Sequence, residues 1–142
     1  MAAAPSYTDE RVFQMLGLHW SGTKSPAISD LTAALLKEQK PDGGWAQLPG
    51  LDSDAYATGQ ALYALNQAGG ISTEDPNYQR GVKFLRETQM RDGSWFVETH
   101  AIPIQPPLDA GFPQGTNQFI SAAGTSWAAM ALMLTEHPHA VR

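Results

Sequence analysis

Residues 80–95, RGVKFLRETQMRDGSW, carry the pattern that decides the fold. An aromatic-aliphatic pair, Phe84-Leu85, lies in a helical segment that Gln89 closes, and Gly93-x-Trp95 follows directly. The same ending occurs fifty residues earlier in LLKEQKPDGGW, with Leu35, Gln39, Gly43 and Trp45 in matching register. Two copies at a fixed spacing indicate a repeat, which is typical of folds that stack one supersecondary unit on the next.

Apolar spacing and stop signals predict five helices, at about 8–20, 26–39, 54–67, 76–90 and 117–136. Ser25-Pro26 and Asp75-Pro76 each read as an N-cap followed by proline at the first helical position. Asp52 or Ser53 is the expected cap of the third helix. The sequence therefore predicts an all-α fold.

The third and fifth helices are rich in alanine, and GTSWAAMAL in the fifth lines up with residues 57–65 of the third. Small side chains let a helix approach its neighbours closely, so we expect the third helix inside. The fourth helix is amphipathic and is expected outside. We expect one domain over 1–142, with repeats at about 25–68 and 76–136 and a proline-rich loop at 96–115.

Composition excludes several classes of function. The chain has 42% hydrophobic and 16% charged residues, which is typical of a globular protein. Fourteen acidic against nine basic residues give a net charge of −5, and no basic cluster is present that could neutralise nucleic-acid phosphates. Without cysteine, thiol catalysis and Cys-ligated metal sites are excluded. No apolar run is long enough for a membrane span, and we expect a cytoplasmic protein, or a periplasmic one if a signal was removed.

The second copy resembles the complete glutamine–tryptophan motif of the triterpene cyclases, the squalene–hopene and oxidosqualene cyclases. The matching residues are Arg80, Gly81, Phe84, Leu85, Gln89, Gly93 and Trp95. The first copy departs from the motif, with Asp30, Leu31 and Ala34 at the basic, glycine and aromatic positions. The resemblance extends to protein prenyltransferases and implies an α/α toroid, here an open part of one, built from α/α-hairpin repeats around an apolar cavity. It also implies structural roles for six residues: Gln39, Gly43, Trp45, Gln89, Gly93 and Trp95.

The resemblance suggests where an acid catalyst would lie. In the proton-initiated cyclases an Asp-x-Asp-Asp stretch opens an inner helix after Gly-Gly-Trp, and Asp52-Ser53-Asp54-Ala55 stands at that location. Asp54, with Asp52, is therefore the candidate general acid. Ala55 replaces the third aspartate. The alternative is that these residues only cap a helix and complement its dipole.

Four aromatic residues could line an apolar cavity that stabilises a carbocation or holds an isoprenoid: Tyr56, Tyr63, Phe119 and Trp127. They could equally pack between helices. His137-Pro138-His139 could bind a metal, but His pairs at a tail are more often solvated, and the prenyltransferase zinc site needs a cysteine. We expect no metal and no cofactor.

The main functional hypothesis is a non-catalytic, cyclase-like module for protein binding or assembly. An open toroid leaves apolar edges that a homodimer, a larger assembly or further residues of a longer protein must cover. Residues 93–132 also resemble the ends of cyclase-like domains found with bacterial c-type cytochrome modules, which implies an accessory subunit of a membrane or electron-transfer complex. The alternatives are a terpenoid cyclase, or a fragment of one, and an isoprenoid- or lipid-binding protein.

Overall fold

A computed structural model describes residues 7–102, 104–106 and 108–136, and the predicted His137-Pro138-His139 pair lies outside them. Five α-helices form within these residues: α1 (Thr8–Trp20), α2 (Pro26–Glu38), α3 (Ala55–Gln67), α4 (Pro76–Thr88) and α5 (Gln118–Glu136). A 3₁₀ turn, Gly115–Asn117, precedes α5. Strands are absent from this part of the chain, which has only an isolated bridge between Trp45 and Asp54. The all-α, five-helix prediction is confirmed.

The helices begin where the capping residues predict, with one correction. The Ser25 hydroxyl accepts a hydrogen bond from the Ala27 N–H, and the Asp75 carboxylate accepts one from Asn77. The cap of α3 is Asp54 rather than Asp52 or Ser53, and its Oδ1 lies 2.9 Å from the Ala57 nitrogen. The reason is that the Asp54 N–H donates to the Trp45 carbonyl, which holds Asp54 extended immediately before the helix.

Two outer helices end earlier than predicted. Helix α4 stops at Thr88 instead of residue 90 because the Met90 N–H donates to the Ser94 carbonyl and closes a turn. Helix α2 stops at Glu38 for the same reason, since the Lys40 N–H donates to the Gly44 carbonyl. Both turns belong to the repeat, so each copy ends its outer helix earlier than predicted for the same reason.

Helix α3 lies between α1 and α5 and is the most buried of the five. A Cβ added to Gly59 would lie 2.6 Å from the Ala128 nitrogen, so α3 and α5 approach each other closely. Helix α2 packs against α1 and α3, whereas α4 packs against α3 and α5. Helix α3 is therefore inside and the amphipathic α4 is outside, as their composition predicts, whereas α5 packs one face on α3 and leaves another face exposed.

The core follows this arrangement. Its largest fully buried side chains come from α1 to α4 and from the first Gly-x-Trp segment: Trp45, Tyr78, Met15, Leu16, Leu35, Leu62, Leu65 and Leu85. The Tyr78 hydroxyl donates to the Ala131 carbonyl at 2.9 Å and ties α4 to α5. No helix among the described residues combines the length and apolarity needed to cross a membrane.

Candidate functional site

The two Gly-x-Trp segments form corners with the same internal hydrogen bonds. We call residues 39–45 the first corner and residues 89–95 the second corner. Each opening glutamine donates to the carbonyl of its own glycine, at 2.9 Å for Gln39 to Gly43 and 2.8 Å for Gln89 to Gly93. The indole N–H of Trp45 donates to Leu35 and that of Trp95 to Leu85, at 2.7 and 2.8 Å.

Each corner is also joined to the inner helix that follows it. The Trp45 N–H donates to the Thr58 hydroxyl of α3, and the Trp95 N–H donates to the Thr125 hydroxyl of α5. These paired contacts agree with the sequence alignment of residues 57–65 with 124–132.

The corners differ in what lies against them. At the first corner the Gln39 amide also donates to the Asn77 carbonyl in the first turn of α4, and the Arg80 guanidinium donates back to the Gln39 amide oxygen. At the second corner Gln89 is exposed. Within the described residues its side-chain amide donates to the Gly93 carbonyl of the same corner. The second corner therefore has the same internal geometry as the first, but no helix among the described residues packs its first turn against it.

Asp54 combines a structural contact with a perturbed carboxyl. Its Oδ1 caps α3, and its Oδ2 accepts a hydrogen bond from the Gln47 amide at 2.9 Å. Burial raises the pKa of Asp54 above its usual value, although the hydrogen bonds from Ala57 and Gln47 oppose that rise. Asp52, the other candidate acid, is exposed.

Asp54 lies on a cleft of about 300 Å³ between the start of α3, the end of α4 and the chain after Trp95. Its polar residues include Asp52, Ser53, Glu98 and His100, and its apolar wall includes Phe84, Trp95 and Phe96. A cleft of this size is at the lower limit for drug-sized ligands. The arrangement provides one partly desolvated carboxyl beside an aromatic wall.

The four aromatic residues proposed for one cavity occupy three different places. Tyr63 and Trp127 contact edge to face at 5.6 Å, and Phe13 contacts Trp127 at 6.1 Å. Phe119 instead pairs with Phe112 of the proline-rich loop, at 6.4 Å. Tyr56 lies in a separate cleft with Gln60. The structure thus joins only Tyr63 and Trp127.

Sequence reasoning missed several residues of these sites. Thr58 and Thr125 occupy equivalent positions in the two aligned helical segments, which is a signal that could have found them. Asp42 and Asp92 likewise occupy equivalent positions in the two corners. Gln60 has no such signal, because nothing in its spacing indicates that its side chain is fully buried. Within the described part of the chain, His, Asp and Glu residues do not gather in threes as a metal site requires.

Comparison with known proteins identifies the family. The model of the squalene-hopene cyclase C-terminal domain matches residues 3–140. The chain belongs to this family. A probable squalene–hopene cyclase of Sinorhizobium fredii is 32% identical over 84% of the chain, and a squalene–hopene cyclase of Bradyrhizobium diazoefficiens is 30% identical over 83%. A lanosterol synthase of Candida albicans is 29% identical over 71%.

The chain spans less than a fifth of these cyclases, namely 18%, 17% and 16% of their lengths. The family match agrees with the predicted triterpene cyclase resemblance and with an open part of an α/α toroid. The described residues contain five helices, which correspond to two and a half hairpins.

Proposed function

We propose that this chain is a non-catalytic, cyclase-like repeat module that acts in protein assembly. Its second corner would receive the first turn of an outer helix from another α/α hairpin, as the first corner receives α4. The observation that carries this proposal is the pair of corners, which have the same internal bonds and different coverage.

The first corner defines the chemistry of the expected partner. Its occupant is a helix that begins with a capping residue and proline, Asp75-Pro76. That helix offers the Asn77 carbonyl to the corner amide and the Arg80 guanidinium to the amide oxygen. The partner at Gln89 should therefore present a backbone carbonyl from the first turn of a helix and a side-chain donor three residues further along.

Helix α5 supports the proposal with a second uncovered surface. Its exposed side includes Phe119, Met130 and Met133, of which Met133 is 62% exposed. Exposed apolar residues clustered on one helix mark an interaction surface more often than scattered ones do. A further hairpin that docks at the second corner would lie close to α4 and α5.

The test is to measure assembly and folding separately in one variant. Gln89→Leu keeps a similar side-chain volume but removes the carbonyl oxygen and the NH₂ group of the amide. We expect native mass spectrometry of protein from source material to show a second copy or another protein bound. Gln89→Leu should weaken that association at least tenfold and change the free energy of unfolding by less than about 0.5 kcal/mol, as is usual for an exposed side chain.

Lys83→Ala is the control. Lys83 is an exposed residue of α4, and within the described residues its ion-pair partner is Glu87 on the same helix. It should leave the association unchanged. A monomer without a bound partner at every concentration, or an association that Gln89→Leu leaves intact, would refute the proposal.

A terpenoid cyclase is the second candidate, and the raised pKa of Asp54 favours it. Burial is the main cause of that shift, and a carboxyl that holds its proton more tightly is a typical general acid. Against it, both carboxylate oxygens already accept hydrogen bonds, from Ala57 and Gln47, and Ala55 stands where the motif has a third aspartate.

The two candidates separate in one assay. Purified protein is incubated with squalene, and the products are analysed by gas chromatography and mass spectrometry. We expect no cyclised product. Product that forms with the wild type and disappears in Asp54→Asn would establish the cyclase and exclude a purely non-catalytic role.

A further inference from the structure

A second cleft, separate from both corners, lies between the start of α1, the middle of α3 and the chain after Trp95. Its volume is about 250 Å³. Tyr7 and Asp9 line it from the start of α1, Tyr56 and Gln60 from α3, and His100 from the loop. Neither the assembly module nor the cyclase candidate uses this cleft.

Gln60 makes the cleft unusual. Its side chain is 0% exposed, and neither its amide nitrogen nor its amide oxygen has a hydrogen-bond partner among the described residues. The Gln60 amide lies close enough to the Tyr56 hydroxyl to oppose the rise that burial causes in its pKa, but the contact does not meet the geometric criteria for a hydrogen bond. Buried polar groups are nearly always paired, because an unpaired one loses its hydrogen bonds to water without replacement. A molecule in the cleft would supply the missing partner.

The cleft is too large for a single water molecule. A water occupies about 30 Å³ of the liquid, so the cleft has room for several waters or for one small ring. It is smaller than a typical site for a drug-sized ligand. Its two tyrosines favour a flat ring, because aromatic side chains pack well against other aromatic groups.

The chemistry of the wall selects among such rings. A primary amide offers one donor group and one acceptor, so its best partner carries an acceptor beside a donor. Asp9 stands close enough to act electrostatically on Tyr56, and a negative charge there disfavours an anionic ligand. Together these features select a neutral carboxamide or lactam over a carboxylate.

We propose that this cleft binds a small, neutral ring compound that carries an amide or lactam group, with Gln60 as the residue that recognises the amide. Tyr56 forms a wall and must move slightly to admit the ligand to the buried amide. The site is independent of the open corner, so it remains even if the assembly proposal fails.

The experiment compares two ligands that differ in one group. Nicotinamide and nicotinate have the same ring, but nicotinate replaces the amide by a carboxylate. We expect saturable binding of nicotinamide in titrations followed by NMR, with shifts at Gln60 and Tyr56, and at least tenfold weaker binding of nicotinate. Benzamide and 2-pyridone test whether the amide or the ring nitrogen matters, and both should bind.

Variants separate recognition from folding. Gln60→Leu removes the buried amide while keeping a similar volume, and we expect it to raise the melting temperature and to weaken nicotinamide binding at least tenfold. Gln67→Leu, on the same helix but away from the cleft, is the control and should leave binding unchanged. If Gln60→Leu fails to fold, Tyr56→Trp narrows the cleft with Gln60 in place and should also weaken binding.

Three results would overturn the proposal. The first is that none of the three amides binds saturably, with only ordered water beside Gln60 in a crystal structure. The second is that nicotinate binds as tightly as nicotinamide. The third is that nicotinamide binding survives in both Gln60→Leu and Tyr56→Trp.

Discussion

The first and second corners have the same internal hydrogen bonds and both bury their tryptophan, yet the glycine turn is more buried in the first corner than in the second. Gly43 and Gly44 are buried, whereas Gly93 is exposed and Ser94 partly so. Helix α4 covers Gly43 and bonds to Gln39, whereas Gly44 is covered by Ser53 and Thr58, and no described helix covers the second corner. Local sequence is thus sufficient to form a corner, and the next hairpin determines how much of it is buried.

This comparison separates two contributions to stability. The turn, the glutamine bond and the buried indole arise within each copy, so they should matter equally in both. The contact with a neighbouring helix exists only at the first corner. Pairs of equivalent substitutions measure the two contributions independently, because each pair changes the same residue type in the same local structure.

The largest effect should come from the tryptophans, which both corners bury. Trp45→Ala and Trp95→Ala should each lower the free energy of unfolding by roughly 3 to 5 kcal/mol, the range for truncating a buried aromatic. Urea unfolding followed by circular dichroism measures both. The shared geometry predicts similar values, and a Trp95 effect below about 0.5 kcal/mol would mean that the second corner does not depend on its indole.

The glycines provide the sharpest test of the difference. Gly43 and Gly93 have the same left-handed backbone, with φ of +88° and +87°, so alanine strains both by about 1 kcal/mol. A Cβ on Gly43 would also lie 2.4 Å from the Arg80 carbonyl oxygen, whereas one on Gly93 would meet only the Gln89 amide at 3.9 Å. Gly43→Ala should therefore destabilise the protein by at least about 2 kcal/mol more than Gly93→Ala, as expected for overpacking.

Thermal unfolding of the two alanine variants measures this difference. Gly50→Ala, at φ +85° with open space around the added Cβ, isolates the cost of the backbone conformation. Equal losses at positions 43 and 93 would show that α4 does not press on the first corner in solution.

Much of the fold follows from the sequence because it depends on local signals. Neighbouring residues determine the helix starts at Ser25-Pro26 and Asp75-Pro76, the glutamine–glycine turns and the alanine-rich helices. The cap of α3 was misplaced because the bridge from Asp54 to Trp45 joins residues on opposite sides of a loop. The four aromatic residues predicted for one cavity lie apart for the same kind of reason, since the contact of Phe119 with Phe112 depends on how the proline-rich loop folds back.

The glutamines should show a smaller difference than the glycines. Gln39→Ala removes the bond to the Asn77 carbonyl and the bond from the Arg80 guanidinium, which keeps its bond to the Asn77 side chain, and should cost about 1 to 2 kcal/mol. Gln89→Ala removes one exposed local bond and should cost less than about 0.5 kcal/mol. Chemical denaturation of both variants measures the two losses, with the exposed Gln14→Ala as control. A larger loss at Gln89 than at Gln39 would reverse the assignment of the covered corner.

The smallest effects should appear in the pH dependence, where a carboxylate near each corner responds in the opposite direction. Burial raises the pKa of Asp54, so the folded protein binds that proton more tightly than the unfolded chain does. Stability from this group is therefore greatest below its ordinary pKa of 3.8 and falls as the pH rises past it. At exposed Asp92 the Ser94 hydroxyl and N–H lower the pKa, so its contribution is present above the ordinary value and is lost on acidification.

Melting temperatures between about pH 3 and pH 7 should therefore respond in opposite ways to two matched substitutions. Asp54→Asn should change stability at pH 7 by only a few tenths of a kcal/mol, because Asn and Asp cap helices about equally. The stability of Asp54→Asn relative to the wild type should rise with pH, because the variant has no carboxylate to desolvate. The stability of Asp92→Asn relative to the wild type should fall over the same range. If both variants shift the profile in the same direction, then burial does not control Asp54, and the capping geometry at the start of α3 differs from the one described.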